Sequence, residues 1–269
     1  MTTMLRASGW PSDRPVELAN VEAPALVRSI HQAYRRAGAE VLTANSFGAH
    51  GLRLEILALA DRVEELCAAA IRLARESAGV DGYVAASIGP PGEPIYGLGD
   101  KSYRVAVAAY RRQLVACRAA GADLFLLETF TDLLELQAAL TAAHQAGATP
   151  VAVSMRLEPD RLTAGLVSPE ALAEVAIALG AALVGVNCMP PPQAAAAIER
   201  LRSRARLPIF AQPSAGPPSA EGGYPLAPDD VAEWAPVLGR LGLVGIGGCC
   251  GTTPAHVEAL ARALSAATG

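Results

Sequence analysis

Aromatic side chains are scarce in this sequence, 4% of 269 residues, and charged ones make up only 18%. No stretch combines clustered lysine and arginine with interleaved aromatics, so the electrostatic and stacking footprint of a nucleic-acid-binding surface is missing. The 22 basic and 26 acidic residues leave a net charge of −4, which sets up no strong field of either sign. No apolar run approaches the ~20 residues needed to cross a bilayer. The opening M-T-T-M-L-R-A-S-G-W lacks the apolar core of a signal peptide, so a cytoplasmic protein with no membrane partner is the expectation. Cysteine is sparse too. Five residues, an odd number in a chain this long, do not make a secreted disulfide framework.

What the chain has in quantity is small and aliphatic residues. The hydrophobic fraction is 52%, largely alanine, leucine and valine, which excludes disorder and suits packed helices around buried strands. The length fits a single domain spanning 1–269. Continuously apolar runs at 40–44, 82–88, 123–127, 150–155, 182–187, 207–211 and 243–247 predict strands buried on both faces of a parallel sheet. Helical patterns fill 24–37, 52–78, 103–120, 131–146, 169–179, 191–204, 228–240 and 254–266. Ser168-Pro169 and Thr253-Pro254 each place a capping hydroxyl before a proline. Gly38, Gly121, Gly147 and Gly180 sit where a left-handed residue would end a helix before the next strand.

This β-α rhythm favours an α/β fold of the (β/α)8 TIM-barrel type over a doubly wound sheet. Seven strands and eight helices are legible, and the chain is expected to open on a loop and a helix. A closed barrel would need a strand before Met1 or a substitute for it. The long irregular stretches 89–101 and 212–226 both follow strands, which places them at the mouth where barrel enzymes keep their active sites.

Cys67 and Cys117 lie in alanine-rich helical stretches and read as core residues. Cys188, Cys249 and Cys250 differ, because each ends an apolar strand among glycine, asparagine or proline. In a barrel these are the sixth and eighth strands, so the three sulfurs project from one rim. Three thiolates without a fourth ligand match a catalytic zinc site with one open position. Buried thiols packing a glycine-rich turn are the other reading. Gly247, Gly248 and Gly251 would let the backbone aim consecutive cysteines at one point. An all-sulfur ligand set suits a thiol in the open position better than activated water, and alkyl transfer to that thiol is the chemistry it predicts.

G-V-N-C at 185–188 and G-G-C-C-G-T-T-P-A-H-V at 247–257 resemble the zinc signature of the homocysteine S-methyltransferase family. Further matches are A-G-A-E-V-L-T-A-N-S-F-G-A at 37–49, S-I-G-P at 87–90 and L-L-E-T-F-T-D at 126–132, so the resemblance covers nearly the whole chain. It implies that Cys188, Cys249 and Cys250 bind Zn2+, that homocysteine sulfur becomes the fourth ligand, and that Glu128 holds the substrate ammonium. Asn45 and Asn187 are candidates for the pocket or for turn stabilisation. Ser214, in P-S-A-G, stands where the family's P-N-A-G asparagine can fill the open metal position. The family's first strand ends in D-G-x-M-G-T, of which M-T-T-M-L matches only the tail. His31, His50, His144 and His256 read as surface or packing residues, and Tyr96 as a donor-side residue. The implied activity is methyl transfer to homocysteine, giving methionine. The donor would be a small onium compound such as S-methylmethionine or betaine, or a corrinoid protein on a separate chain. A non-catalytic zinc- or thiol-binding subunit is the alternative.

Overall fold

Each of the seven apolar runs forms a strand. These are β1 Val41–Thr43, β2 Tyr83–Ile88, β3 Leu124–Phe130, β4 Val151–Met155, β5 Leu183–Asn187, β6 Ile209–Gln212 and β7 Gly245–Ile246. The computed structural model describes residues 1–95, 102–157, 167–219 and 223–268. All neighbouring strands are parallel and pair in chain order from β1 to β7. The result is a curled parallel α/β sheet with the strand order of a barrel. Among the described residues β1 pairs only with β2, and β7 only with β6. The eight-stranded barrel is therefore seen as seven strands.

Burial explains the continuous apolar pattern. Residues on one face of the strands, Ala85, Leu126, Ala152 and Phe210, form a small buried cluster inside the curl. Their strand neighbours on the opposite face, among them Val84, Phe125, Leu127 and Val153, join the large core beneath the helices. A strand covered on both sides gains nothing from alternation.

The helices depart from expectation in four places, one of them the helical turns at Val16–Leu18 and Ala19–Glu22, ahead of the expected start at 24. A helix at Thr2–Ala7 stands where a loop was expected, with Leu5 fully buried. The 52–78 segment divides into Gly51–Glu55, a short 3-10 turn at Ala60–Arg62, and Val63–Ala78. The 228–240 segment divides into Pro228–Ala232 and Ala235–Arg240, because Pro236 has no N–H to continue the helix. The glycine stops hold: Gly38, Gly121, Gly147 and Gly180 all have positive φ. No described helix is long and apolar enough to cross a membrane.

Candidate metal centre and thiol site

Cys188 follows β5 with φ at 59°, the left-handed region that residues with a side chain rarely enter. Its N–H donates to the Gln212 carbonyl at 3.1 Å, pinning the exit of β5 to the end of β6. The stretch after β6 then holds the second cysteine segment. Cys249 N–H donates to Pro213 O at 2.8 Å, and Ala215 N–H to Cys250 O at 2.9 Å. Both segments are thus laid against one template, and the three sulfurs lie within 4.8 Å of one another. Cys188 Sγ is 3.5 Å and Cys249 Sγ is 3.9 Å from Cys250 Sγ.

That spacing fits a metal. Three sulfurs at about 2.3 Å from one tetrahedral zinc stand about 3.8 Å apart. Three thiolates this close repel unless a cation lies between them. Among themselves the sulfurs concentrate the negative charge on Cys250. Hydrogen bonds from Cys188 and then Cys249 hold its thiol far below the ordinary range, and the Tyr224 phenol adds a further bond. Cys249 is pushed up, through hydrogen bonding to Cys188 and Cys250 and through burial. Cys67 and Cys117 are fully buried, in keeping with core packing.

Only Gly251 of the three aiming glycines has positive φ, 78°. Its missing Cβ also admits the Tyr224 ring, since a Cβ there would fall 2.2 Å from Tyr224 Cγ. Gly248 is required by close approach instead: a Cβ would stand 2.5 Å from Thr252 Oγ1. Tyr224 was missed in the sequence. Its one signal there is a lone aromatic in a proline- and glycine-rich stretch of an aromatic-poor chain.

Glu128 projects from β3 into the curl, where Ser87 Oγ on β2 donates a short hydrogen bond to its Oε1. Burial raises its carboxyl above the usual range, and the Ser87 bond partly offsets the rise. The strand register shifts between Leu127 and Phe130, and Thr129 sits at φ 65°. For a β-branched residue this is a true outlier. Asn187 holds it there. The fully buried Asn187 accepts from Thr129 N–H at 3.0 Å and donates to Thr129 Oγ1 at 2.7 Å. Its Oδ1 also accepts from Ser154 Oγ at 3.1 Å, and its Nδ2 points at Cys249 Sγ at 3.8 Å. One amide therefore joins the backbone beside Glu128 to the sulfur cluster.

Asn45 lies farther out, with its Nδ2 donating to Val16 O at 2.7 Å and to Asn20 Oδ1 at 3.0 Å. These bonds, with Gly48 N–H donating to the buried Glu17 at 2.7 Å, brace the turn after β1. Ser214 is 3% exposed and donates its hydroxyl to Gly216 O at 2.8 Å. Its proton is used within its own turn. His31, His50 and His256 are buried packing residues and His144 is exposed. Thr253 N–H donates to His256 Nδ1 at 3.1 Å, which leaves Nε2–H to donate to Leu226 O at 3.0 Å. His256 thus ties the helix start after the cysteines to the far end of the β6 loop. Tyr96 lies outside the described residues.

The family model for homocysteine S-methyltransferase matches residues 1–264. The chain belongs to the homocysteine S-methyltransferase family. The methionine synthases of Mycobacterium leprae and Mycobacterium tuberculosis are each 35% identical over 266 residues, 93% of this chain. The chain spans only 22% of the length of those two relatives. The mouse S-methylmethionine–homocysteine S-methyltransferase BHMT2 is 29% identical over 93% of this chain and 72% of its own. The metallated form of the Escherichia coli homocysteine methyltransferase MmuM superposes with a TM-score of 0.83 at 26% identity. That match covers 97% of this chain and 93% of the other.

Proposed function

We propose that this homocysteine S-methyltransferase family member transfers a methyl group to the thiol of homocysteine, giving methionine. Cys188, Cys249 and Cys250 would hold a zinc ion. The observation that carries the reading is the convergence of these three sulfurs within tetrahedral spacing, with the buried carboxylate of Glu128 near enough to feel the charge of Cys250. Bound there, zinc would lower the pKa of an incoming thiol so that it is present as thiolate at neutral pH, while three thiolate donors keep that sulfur electron-rich.

The chain's own residues supply position. Glu128 is a carboxylate facing the pocket with one oxygen held by Ser87, and its free oxygen accepts from the substrate ammonium. Asn187 keeps the Glu128 strand and Cys249 in fixed relation, so the amino-acid end and the sulfur end are measured against one frame. A thiolate lone pair then attacks the methyl carbon in line, and the bond to the donor breaks with its electron pair staying on the donor. Asn45 and Ser214 serve the site by shaping the loops after β1 and β6. The donor is a small onium compound or a methyl-corrinoid carried by a separate chain.

The test is methyl transfer to homocysteine by zinc-loaded protein against a panel of S-methylmethionine, betaine and methylcobalamin, beside Cys250→Ala. We expect turnover with one donor, and loss of both stoichiometric zinc and turnover in the variant. Full activity in metal-free Cys250→Ala protein would sink the reading.

A further inference from the structure

Four buried side-chain polar atoms lack a hydrogen-bond partner among the described residues: His31 Nε2, Tyr110 OH, Gln113 Oε1 and Gln212 Oε1. The first three belong to helices of the outer layer. Gln212 alone is on a strand, the last residue of β6. A buried acceptor without a partner costs free energy, so its place calls for an explanation.

The interior of the curl is layered. Leu126 of β3 and Phe210 of β6 pack in one buried cluster with Ala85 of β2 and Ala152 of β4. Side chains two residues apart share a strand face. The next inward positions toward the mouth are therefore Ser87, Glu128, Ser154 and Gln212, and every one is polar. Opposite side chains of one interior layer meet near the axis, because a barrel of this size is just filled by them. The neighbouring chain just after β7 leaves room beside it as well: a Cβ at Gly247 would lie 3.3 Å from Gln212 Cγ. In this layer Ser87 is bonded to Glu128 and Ser154 to Asn187, while the Gln212 oxygen has no partner.

We infer that Gln212 is a further substrate-positioning residue, its Oε1 accepting from the primary ammonium of an amino-acid thiol that Glu128 binds from the opposite side. The inference rests on the amino-acid-thiol reading above. It follows from a count of donors. At neutral pH an amino-acid thiolate has one donor group, its ammonium, with three N–H bonds. A carboxylate supplies charge and a neutral amide supplies an added direction without a second charge.

The test compares two thiols of equal chain length on cobalt(II)-loaded full-length protein, reading the sulfur-to-metal absorption band. One is homocysteine and the other is 4-mercaptobutanoate, which lacks the amine. Gln212→Met keeps the unbranched stem and removes the acceptor, and Gln212→Glu restores one. We expect Gln212→Met to weaken homocysteine binding by about tenfold or more while 4-mercaptobutanoate binding stays within twofold. Gln212→Glu should keep the preference for homocysteine. An unchanged preference in Gln212→Met, or an equal loss of both thiols, would overturn the role of Gln212. A wild-type protein that does not prefer homocysteine would instead overturn the amino-acid-thiol reading on which it rests.

Discussion

Two left-handed residues that are not glycine, Thr129 and Cys188, stand at the two halves of the site. Such conformations cost about 1–3 kcal/mol each and persist where neighbours over-determine them. For Thr129 the neighbour is Asn187, which engages both its N–H and its hydroxyl and also meets Ser154 and Cys249. Asn187→Ala removes all of these partners in a fully buried place. We expect a loss of about 2–3 kcal/mol in urea unfolding. Zinc affinity, measured by competition with a chromophoric chelator, should fall about tenfold or more. Unchanged values in both measurements would remove Asn187 from the frame. The cysteines were legible because thiol clusters at strand ends have few other uses. Thr129, Gln212 and Tyr224 were not, because a register shift and a loop path decide where their side chains go, and neither leaves a mark on residue type.

The strands were readable to within one or two residues at every end but one, since two-sided burial writes itself as an unbroken apolar run; β3 runs three residues past the expected 127, through the polar Glu128 and Thr129. The helix boundaries were less so, and the break after Gly51–Glu55 shows why. Leu59 N–H bonds to Leu54 O at 2.8 Å and Ala58 N–H to Glu55 O at 3.0 Å, with Ala58 at φ 54°. This is a Schellman turn whose left-handed position holds alanine where glycine is usual. The apolar Ile56 and Leu57 continue the helical pattern on paper, yet they are 64% and 45% exposed. Ala58→Gly relieves about 1–2 kcal/mol of backbone strain and gives part of it back as unfolded-state entropy. The net expectation is a gain of about 0.5–1 kcal/mol and a rise in Tm of about 2 °C, with methyl transfer unaltered. A lower Tm would mean that the exposed turn is not strained.

Across the whole molecule, buried titratable groups outside the site set two opposed pH slopes. Burial, with Asp132 adding, raises the Glu135 carboxyl from 4.5 to about 7. Its folded form binds the proton more tightly than the unfolded chain, so its contribution is present below about pH 4.5 and lost as pH rises through about 7. Burial, with the positive amino terminus adding, lowers His31 from 6.5 to about 3, and burial lowers His50 to about 4. Their contribution is present above pH 6.5 and is lost as pH falls toward those values. Between pH 4.5 and 6.5 the slopes oppose each other, but two histidines outweigh one carboxyl, so wild-type stability should still rise with pH, at about half the slope the histidines alone would give. Glu135→Gln keeps the shape and removes one slope. Its Tm, followed by circular dichroism from pH 4 to 8, should rise with pH through that window, where the histidines alone remain. The gap over wild type should therefore widen steadily up to about pH 7. Parallel curves for the two proteins would show that Glu135 titrates as it does in water and that its place in the first turn of the helix Leu133–Ala146 is wet rather than apolar.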